Sequence, residues 1–389
     1  MSEGNDLPPR VLHVVESLNR GAVENWLVRM LRHGVARNVA MDWTFYCVSA
    51  APGERDEKAN RLGARIVRSP VPIGRKLRFI SALRQEIRSG QYDVLHCHHD
   101  LISALYLFSS LGLPVGRRIV HVHNADEAVL TPNLLKQTIF RPVLRSGCLA
   151  MADRVVGISN HTLDTFLSGR KRRPGRDAVH YYGVDASRFE GLAARRCEFR
   201  KQLSLPEDSK ILLFAGRLVP EKNPTFAIDV LAELRRLEPA AVGVFAGTGA
   251  LENDIRVRAE QLGVWERVRM LGWRDDLAQI MSDCDWFILP RPEAPPEGFG
   301  LAVVEAQLAG LRLLLSRGIP DDPLLAGARY RRLGLTSGAR AWAKAASELL
   351  QEPPPARAEA IEALRNSPMA MDEALRGLLR LHGHKAGIG

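Results

Sequence analysis

The chain has 389 residues, 46% of them hydrophobic and 25% charged, and carries 54 Lys and Arg against 44 Asp and Glu. This length exceeds one ordinary core and suits two domains of roughly 150 to 200 residues each, and the ordinary composition with no low-complexity tract excludes extensive disorder. Five scattered cysteines (Cys47, Cys97, Cys148, Cys197, Cys284) without C-x-x-C spacing exclude a disulfide framework or zinc knuckle and fit a reducing, cytoplasmic setting.

The opening MSEGNDLPPR has no basic region followed by an apolar run, and the longest apolar stretch, Leu101 to Val115, falls short of the roughly 20 residues of a membrane span. Charge is uneven: residues 1–190 hold 27 Lys and Arg against 18 Asp and Glu, and the remainder 27 against 26. The clusters Arg75, Lys76, Arg78 and Arg170, Lys171, Arg172, Arg173, Arg176 suit an anionic acceptor or membrane surface, or simply solvated loops. Nucleic acid is excluded as a partner, because no aromatics interleave with the basic runs.

In chain order, short apolar runs alternate with helix-like segments, the pattern of a parallel sheet covered on both faces. Val11 to Val15 reads as the first strand, followed by a turn at Gly21 and a helix burying Trp26, Leu27, Met30 and Leu31. Strands are expected at Trp43 to Val48, Val94 to His96, Ile119 to His123, Arg154 to Ile158 and Ala178 to Tyr181. After a basic helix-like segment, Arg195 to Leu203, a second series runs Ile211 to Ala215, Val242 to Ala246, Val268 to Leu271, Trp286 to Leu289 and Arg312 to Leu315. The expectation is two doubly wound α/β domains facing a cleft, residues 1–190 and 191–367, with a last helix over 368–383 packing back on the first.

Open parallel sheets bind ligands beyond the carboxyl ends of their strands. Three such loops stand out in the second half. Gly216 to Asn223 (GRLVPEKN) places Arg217 and Lys222 on one strand-to-helix loop, a planar fork and a point charge able to neutralise a diphosphate. Gly247-Thr248-Gly249 allows close backbone approach, or is a plain tight turn. Pro296 to Glu305 sets Glu297 before Gly298-Phe299-Gly300 and Leu301 at a helix start, and Glu305 inside that helix. The amides there suit an anion, and a carboxylate among apolar residues needs strong hydrogen bonds, which ribose hydroxyls supply.

The E-x7-E spacing from Glu297 to Glu305, with GRLVPEKN, the GTG turn and Gly272-Trp273-Arg274-Asp275, resembles the group-1 (family 4) glycosyltransferases of the GT-B fold. Within that family it is similar to the exopolysaccharide type, through Leu18 to Glu24. The resemblance spans roughly residues 10–325. It implies that Arg217 and Lys222 grip the donor diphosphate, Glu297 meets the transferred sugar, Glu305 holds the ribose, and the amides of Gly298, Phe299, Gly300 and Leu301 contact sugar and phosphate. Gly247 borders the phosphates, and Trp273 and Arg274 border the base. From the first domain it implies a glycine loop at Gly21, with Ala22 where relatives carry a second glycine, and His123 facing the sugar.

The reaction so implied is retaining hexosyl transfer without a metal ion, from a nucleotide diphosphate sugar, UDP before GDP, to a glycan, lipid-linked or small-molecule acceptor. No cofactor is expected beyond the donor itself, and the setting is cytoplasmic or at the inner face of a membrane. Domain closure would exclude water. A metal reading of His96, Cys97, His98, His99, Asp100, His121 and His123 is disfavoured, since Cys97 points away from the face His96 and His98 share. Two alternatives remain open: a non-catalytic sugar-nucleotide binding protein, and a nucleotide-sugar epimerase on the same fold. A dehydrogenase lacks its G-x-G-x-x-G, since only Gly21 follows the first strand.

Overall fold

The structure, a computed structural model, describes residues 7–19, 21–124, 136–192 and 198–384. It divides into two compact units, Met1–Gly183 with Pro368–Gly389, and Val184–Ser367. The division thus falls earlier than residue 190. The first residues of the Arg195 to Leu203 segment, with Cys197, lie outside the described residues, and a helix covers Glu198–Gln202.

The N-terminal unit holds strands β1 (Arg10–Val15), β2 (Asp42–Cys47), β3 (Arg65–Arg68), β4 (Val94–Cys97), β5 (Arg117–Val122), β6 (Arg154–Gly157) and β7 (Asp177–Val179). They form one parallel sheet in the order β3-β2-β1-β4-β5-β6-β7. Because strand side chains alternate, each strand feeds two cores. Leu12, Val14, Leu95 and Cys97 join Phe79, Leu83 and Ile87 of the helix Lys76–Gly90 and Leu107 of the helix Ser103–Ser109. His13, His96 and His121 point to the other face, against Trp26 of the helix Ala22–Ala36 and His382 of the helix Met371–His382. That last helix is held by Asp372, which takes hydrogen bonds from His33 (2.7 Å) and Arg37 (2.6 Å).

The C-terminal unit holds β8 (Lys210–Ala215), β9 (Ala241–Ala246), β10 (Val268–Gly272), β11 (Trp286–Leu289), β12 (Arg312–Ser316) and β13 (Tyr330–Leu333). The parallel order is β10-β9-β8-β11-β12-β13. β9 and β11 are buried along their whole length, which their unbroken apolar sequences AVGVFA and WFIL allow. Trp286 donates from Nε1 to the Ala346 carbonyl (2.9 Å), tying β11 to the helix Gly338–Gln351, whose Trp342 meets Phe226 of the helix Pro224–Leu234 edge-on at 5.4 Å. Beneath the strands, buried Arg200 pairs with Asp285 (3.1 Å), and Asp285 also accepts from the Ile211 amide (2.8 Å). In each sheet the order reverses beside a central strand, between β1 and β4 and between β8 and β11, and those reversals open the crevices where such sheets take ligands.

Two strands absent from the sequence expectation, β3 (RIVR) and β13 (YRRL), lie at sheet edges. An edge strand needs less apolar surface, so its arginines hide it from a search for hydrophobic runs.

Candidate active site

The loops after β8, β9 and β10 continue the sheet's bonding past the strand ends. Gly216 donates to Ala246 O (3.0 Å), Leu218 to Thr248 O (2.9 Å) and Gly247 to Gly272 O (2.8 Å). Gly247 adopts φ +148°, and a Cβ there would collide with the Gly216 carbonyl. The GTG sequence therefore serves close backbone packing between these loops.

At the β8/β11 reversal the side chains converge. Asn223, after GRLVPEK, donates from its side chain to Pro290 O (3.2 Å) and fastens the β8 loop to the β11 loop. The Lys222 ammonium pairs with the Glu297 carboxylate, and Arg291 Nη1 reaches the same oxygen, Oε2, at 3.3 Å. The Glu297 amide is fixed by Gly318 O (2.7 Å), and the Arg291 Nε donates to Pro295 O (3.0 Å). The side chains of Lys222, Arg291 and Glu297 are all largely buried. Burial by itself would raise the Glu297 carboxyl; Lys222 and Arg291 outweigh it, with Arg217 assisting, and hold it below its ordinary value. Three cations around one carboxylate leave this crevice net positive, and Arg217, exposed on its loop, faces solvent.

Gly300 takes φ +95° at the start of the helix Leu301–Leu308, where the amides of the first turn gather beside Gly298 and Phe299. Glu305 lies one turn further along, its carboxylate 3.4 Å from Arg188 Nη1. Trp273, 42% exposed, and Arg274, bonded to Asp276 (2.7 Å), follow β10 at the sheet edge, two strands from β8. The structure thus brings Lys222 and Glu297 into contact, sets Arg217 near them, and leaves Trp273 and Arg274 at the sheet margin.

Gly21, Ala22 and His123 belong to the N-terminal unit. Gly21 precedes the helix Ala22–Ala36 in extended conformation, and the Glu24 carboxylate folds over it so closely that a Cβ would meet it. Burial raises the Glu24 carboxyl above its usual value. His123, just past β5, is buried with both ring nitrogens engaged: Nδ1 with the Tyr182 hydroxyl (2.7 Å) and Nε2 with His98 Nδ1 (3.0 Å). Its amide donates to Asp100 Oδ1 (2.8 Å). Burial keeps the ring neutral, with its pKa lowered to about 3. A neutral imidazole has one donor and one acceptor, so a sugar hydroxyl reaches this ring only by displacing one of these partners.

Sequence reasoning missed Arg291, Arg188 and Tyr182. Arg291 carried a signal, since it sits between two prolines directly after a strand that ends at the reversal; Arg188 and Tyr182 gave none.

Residues 195–367 match the family described as Glycosyl transferases group 1, and residues 23–188 match Glycosyltransferase Family 4. The chain belongs to this family of nucleotide-sugar glycosyltransferases, with the GT-B fold. It is 26% identical over 349 residues to the putative glycosyltransferase EpsF of Bacillus subtilis, covering 87% of each chain. To the Escherichia coli UDP-Gal:alpha-D-GlcNAc-diphosphoundecaprenol alpha-1,3-galactosyltransferase it is 24% identical over 253 residues, 63% of each. Among solved structures, Anabaena HepE in complex with UDP and glucose superposes with a TM-score of 0.72 at 18% identity, over 96% of this chain and 98% of that one. WaaG, a glycosyltransferase of lipopolysaccharide biosynthesis, gives 0.71 at 16% identity, over 97% and 100%.

Proposed function

We propose that this glycosyltransferase moves a hexose from a UDP-sugar, with retention and without a metal ion, to a glycan or lipid-linked acceptor. The observation that carries the reading is the net positive crevice of Arg217, Lys222 and Arg291 around Glu297. A departing diphosphate needs fixed positive charge where its own charge develops, and buried cations together with aimed amides supply it without a divalent ion. Arg217 and Lys222 bind the diphosphate, the amides at Gly298 to Leu301 bind phosphate and sugar oxygens, Glu305 binds the ribose, and Glu297 and His123 position the sugar. Glu297 is engaged by two cations, which suits an orienting carboxylate better than a free nucleophile of the hydrolase kind. Same-face attack assisted by the leaving phosphate follows. The UDP preference draws on the E. coli relative and on HepE, whose names carry that nucleotide. The same E. coli relative acts on a diphosphoundecaprenol-linked acceptor, which favours the lipid-linked choice here.

The N-terminal unit adds a membrane-facing candidate. Leu77, between Lys76 and Arg78, is 83% exposed, and Phe108, Ile139 and Val143 are exposed as well. Apolar side chains flanked by cations suit peripheral contact with anionic lipid; among the described residues no helix is long and apolar enough to cross a bilayer. Co-sedimentation with anionic but not neutral vesicles at low salt tests this contact.

The test of the donor site is calorimetric titration with UDP, GDP and their sugars in EDTA, repeated with Glu305→Ala and Arg217→Ala. UDP binding in EDTA, weakened by about tenfold or more in both variants, is the expected result. No binding to any nucleotide, or binding only when a divalent ion is restored, would overturn the reading.

A further inference from the structure

Seven histidines are buried in the N-terminal unit: His13, His96, His98, His121, His123, His180 and His382. Three of them come from three separate elements. His13 and His96 are direct neighbours across β1 and β4, and His382 ends the helix Met371–His382 above them. One ring nitrogen of each lies within 4.8 Å of those of the other two. His96 Nδ1 and His382 Nε2 are 2.9 Å apart.

Two of the remaining nitrogens are held from behind. His13 Nδ1 meets His98 Nε2 at 3.0 Å, and His96 Nε2 meets His121 Nδ1 at 3.2 Å. That leaves His13 Nε2 and His382 Nδ1, both in buried rings, with no hydrogen-bond partner. A buried nitrogen without a partner is costly, and it calls for something to satisfy it.

We propose that His13, His96 and His382 bind a borderline transition-metal ion of the Zn2+ class through His13 Nε2, His96 Nδ1 and His382 Nε2. Three imidazoles with no thiolate suit Zn2+, Ni2+ or Cu2+ rather than the hard cations, and Cys97 lies on the opposite face of the sheet. Ligating histidines characteristically hand their other N–H to a fixed acceptor, which His98 provides for His13 and His121 for His96. The proton pattern is consistent along the whole chain of rings. With its lone pair on Nε2, His13 donates from Nδ1 to His98; His98 donates from Nδ1 to His123 Nε2; and His123 donates from Nδ1 to the Tyr182 oxygen. The ion would therefore set the tautomer of His123 while pinning the last helix to the sheet. In the proposed triad the ion would replace only the His96–His382 contact between two of its own ligands, whereas in a second close triad, His96, His98 and His121, the His98 ring would have to give up its bond to His13 or to His123, neither of them a ligand there.

The site lies in the unit without the diphosphate-binding cations, so it is independent of the metal-free donor chemistry. The experiment uses the full chain, purified untagged and without chelator, with metal content measured directly. About one Zn2+-class ion per chain is expected, retained by His161→Gln at an exposed histidine and lost in His382→Gln. In the wild type freed of metal, adding Zn2+ should raise Tm by about 5 °C or more, and Co2+ should give the visible d–d absorption of a nitrogen-ligated, four-coordinate ion. That spectrum is read on the wild type and so does not depend on a variant folding. Absence of both the Tm rise and the Co2+ bands overturns the proposal, as does unchanged stoichiometry in a folded His382→Gln.

Discussion

Lys222 and Glu297, 75 residues apart in the chain, form an ion pair across the β8/β11 reversal. Arg291 reaches the same carboxylate oxygen, so Glu297 stays compensated when Lys222 turns towards an incoming diphosphate. Arg291→Met should lock Lys222 onto Glu297 and weaken UDP binding by about tenfold to a hundredfold at pH 7. Titration of the variant measures it, and unchanged affinity would show that Arg291 does not share the charge.

The pH dependence follows from the same carboxylate. Its folded value is depressed below the ordinary 4.5, so the stability its ion pairs contribute is complete above that value and disappears as pH falls through the depressed one. Glu297→Gln leaves two largely buried cations unpaired. It should therefore lower Tm relative to wild type at pH 6 to 7, and the two curves should converge only well below pH 4.5. Melting curves collected across that range decide the matter; a constant offset down to the lowest pH would contradict it.

Gly247→Ala should destabilise the C-terminal unit by about 1–3 kcal/mol, because the backbone at φ +148° and the Gly216 carbonyl both resist a Cβ. Denaturant unfolding gives the number. A neutral effect would mean that the β8 and β9 loops can separate without cost.

Tyr182→Phe removes the hydroxyl at His123 Nδ1 and strands a buried ring nitrogen, a loss of about 1–3 kcal/mol in the N-terminal unit. If His123 also positions the sugar, kcat should fall more than KM rises; equal stability and equal kinetics would remove Tyr182 from the site.

Much of this was legible in sequence because it depends on neighbours along the chain. The central strands are continuous apolar runs, and GRLVPEKN, GTG and the E-x7-E segment occupy the ends of β8, β9 and β11 because loops at strand ends are local features. What escaped depends on three-dimensional convergence. Arg291 and Lys222 share a carboxylate only because β8 and β11 are neighbours in the sheet, and Arg188 reaches Glu305 from 117 residues away. The histidines His96, His98, His121 and His123 invite attention in sequence by their spacing. His13 and His382 do not, because a single histidine in an apolar strand or an amphipathic helix carries no pattern. The two edge strands were hidden by their arginines.

The last helix has a consequence for how this protein is made. Met371–His382 covers the face of a sheet whose strands are all encoded before residue 180, and its Asp372 and His382 bond to His33, Arg37 and His96. At ribosomal rates the nascent first unit would wait on the order of ten to forty seconds for that helix to be synthesised. During the wait the histidine-lined face is open to water and to chaperones. A chain cut short by a few dozen residues would keep every strand and every donor-binding side chain yet be left with an unfinished first unit.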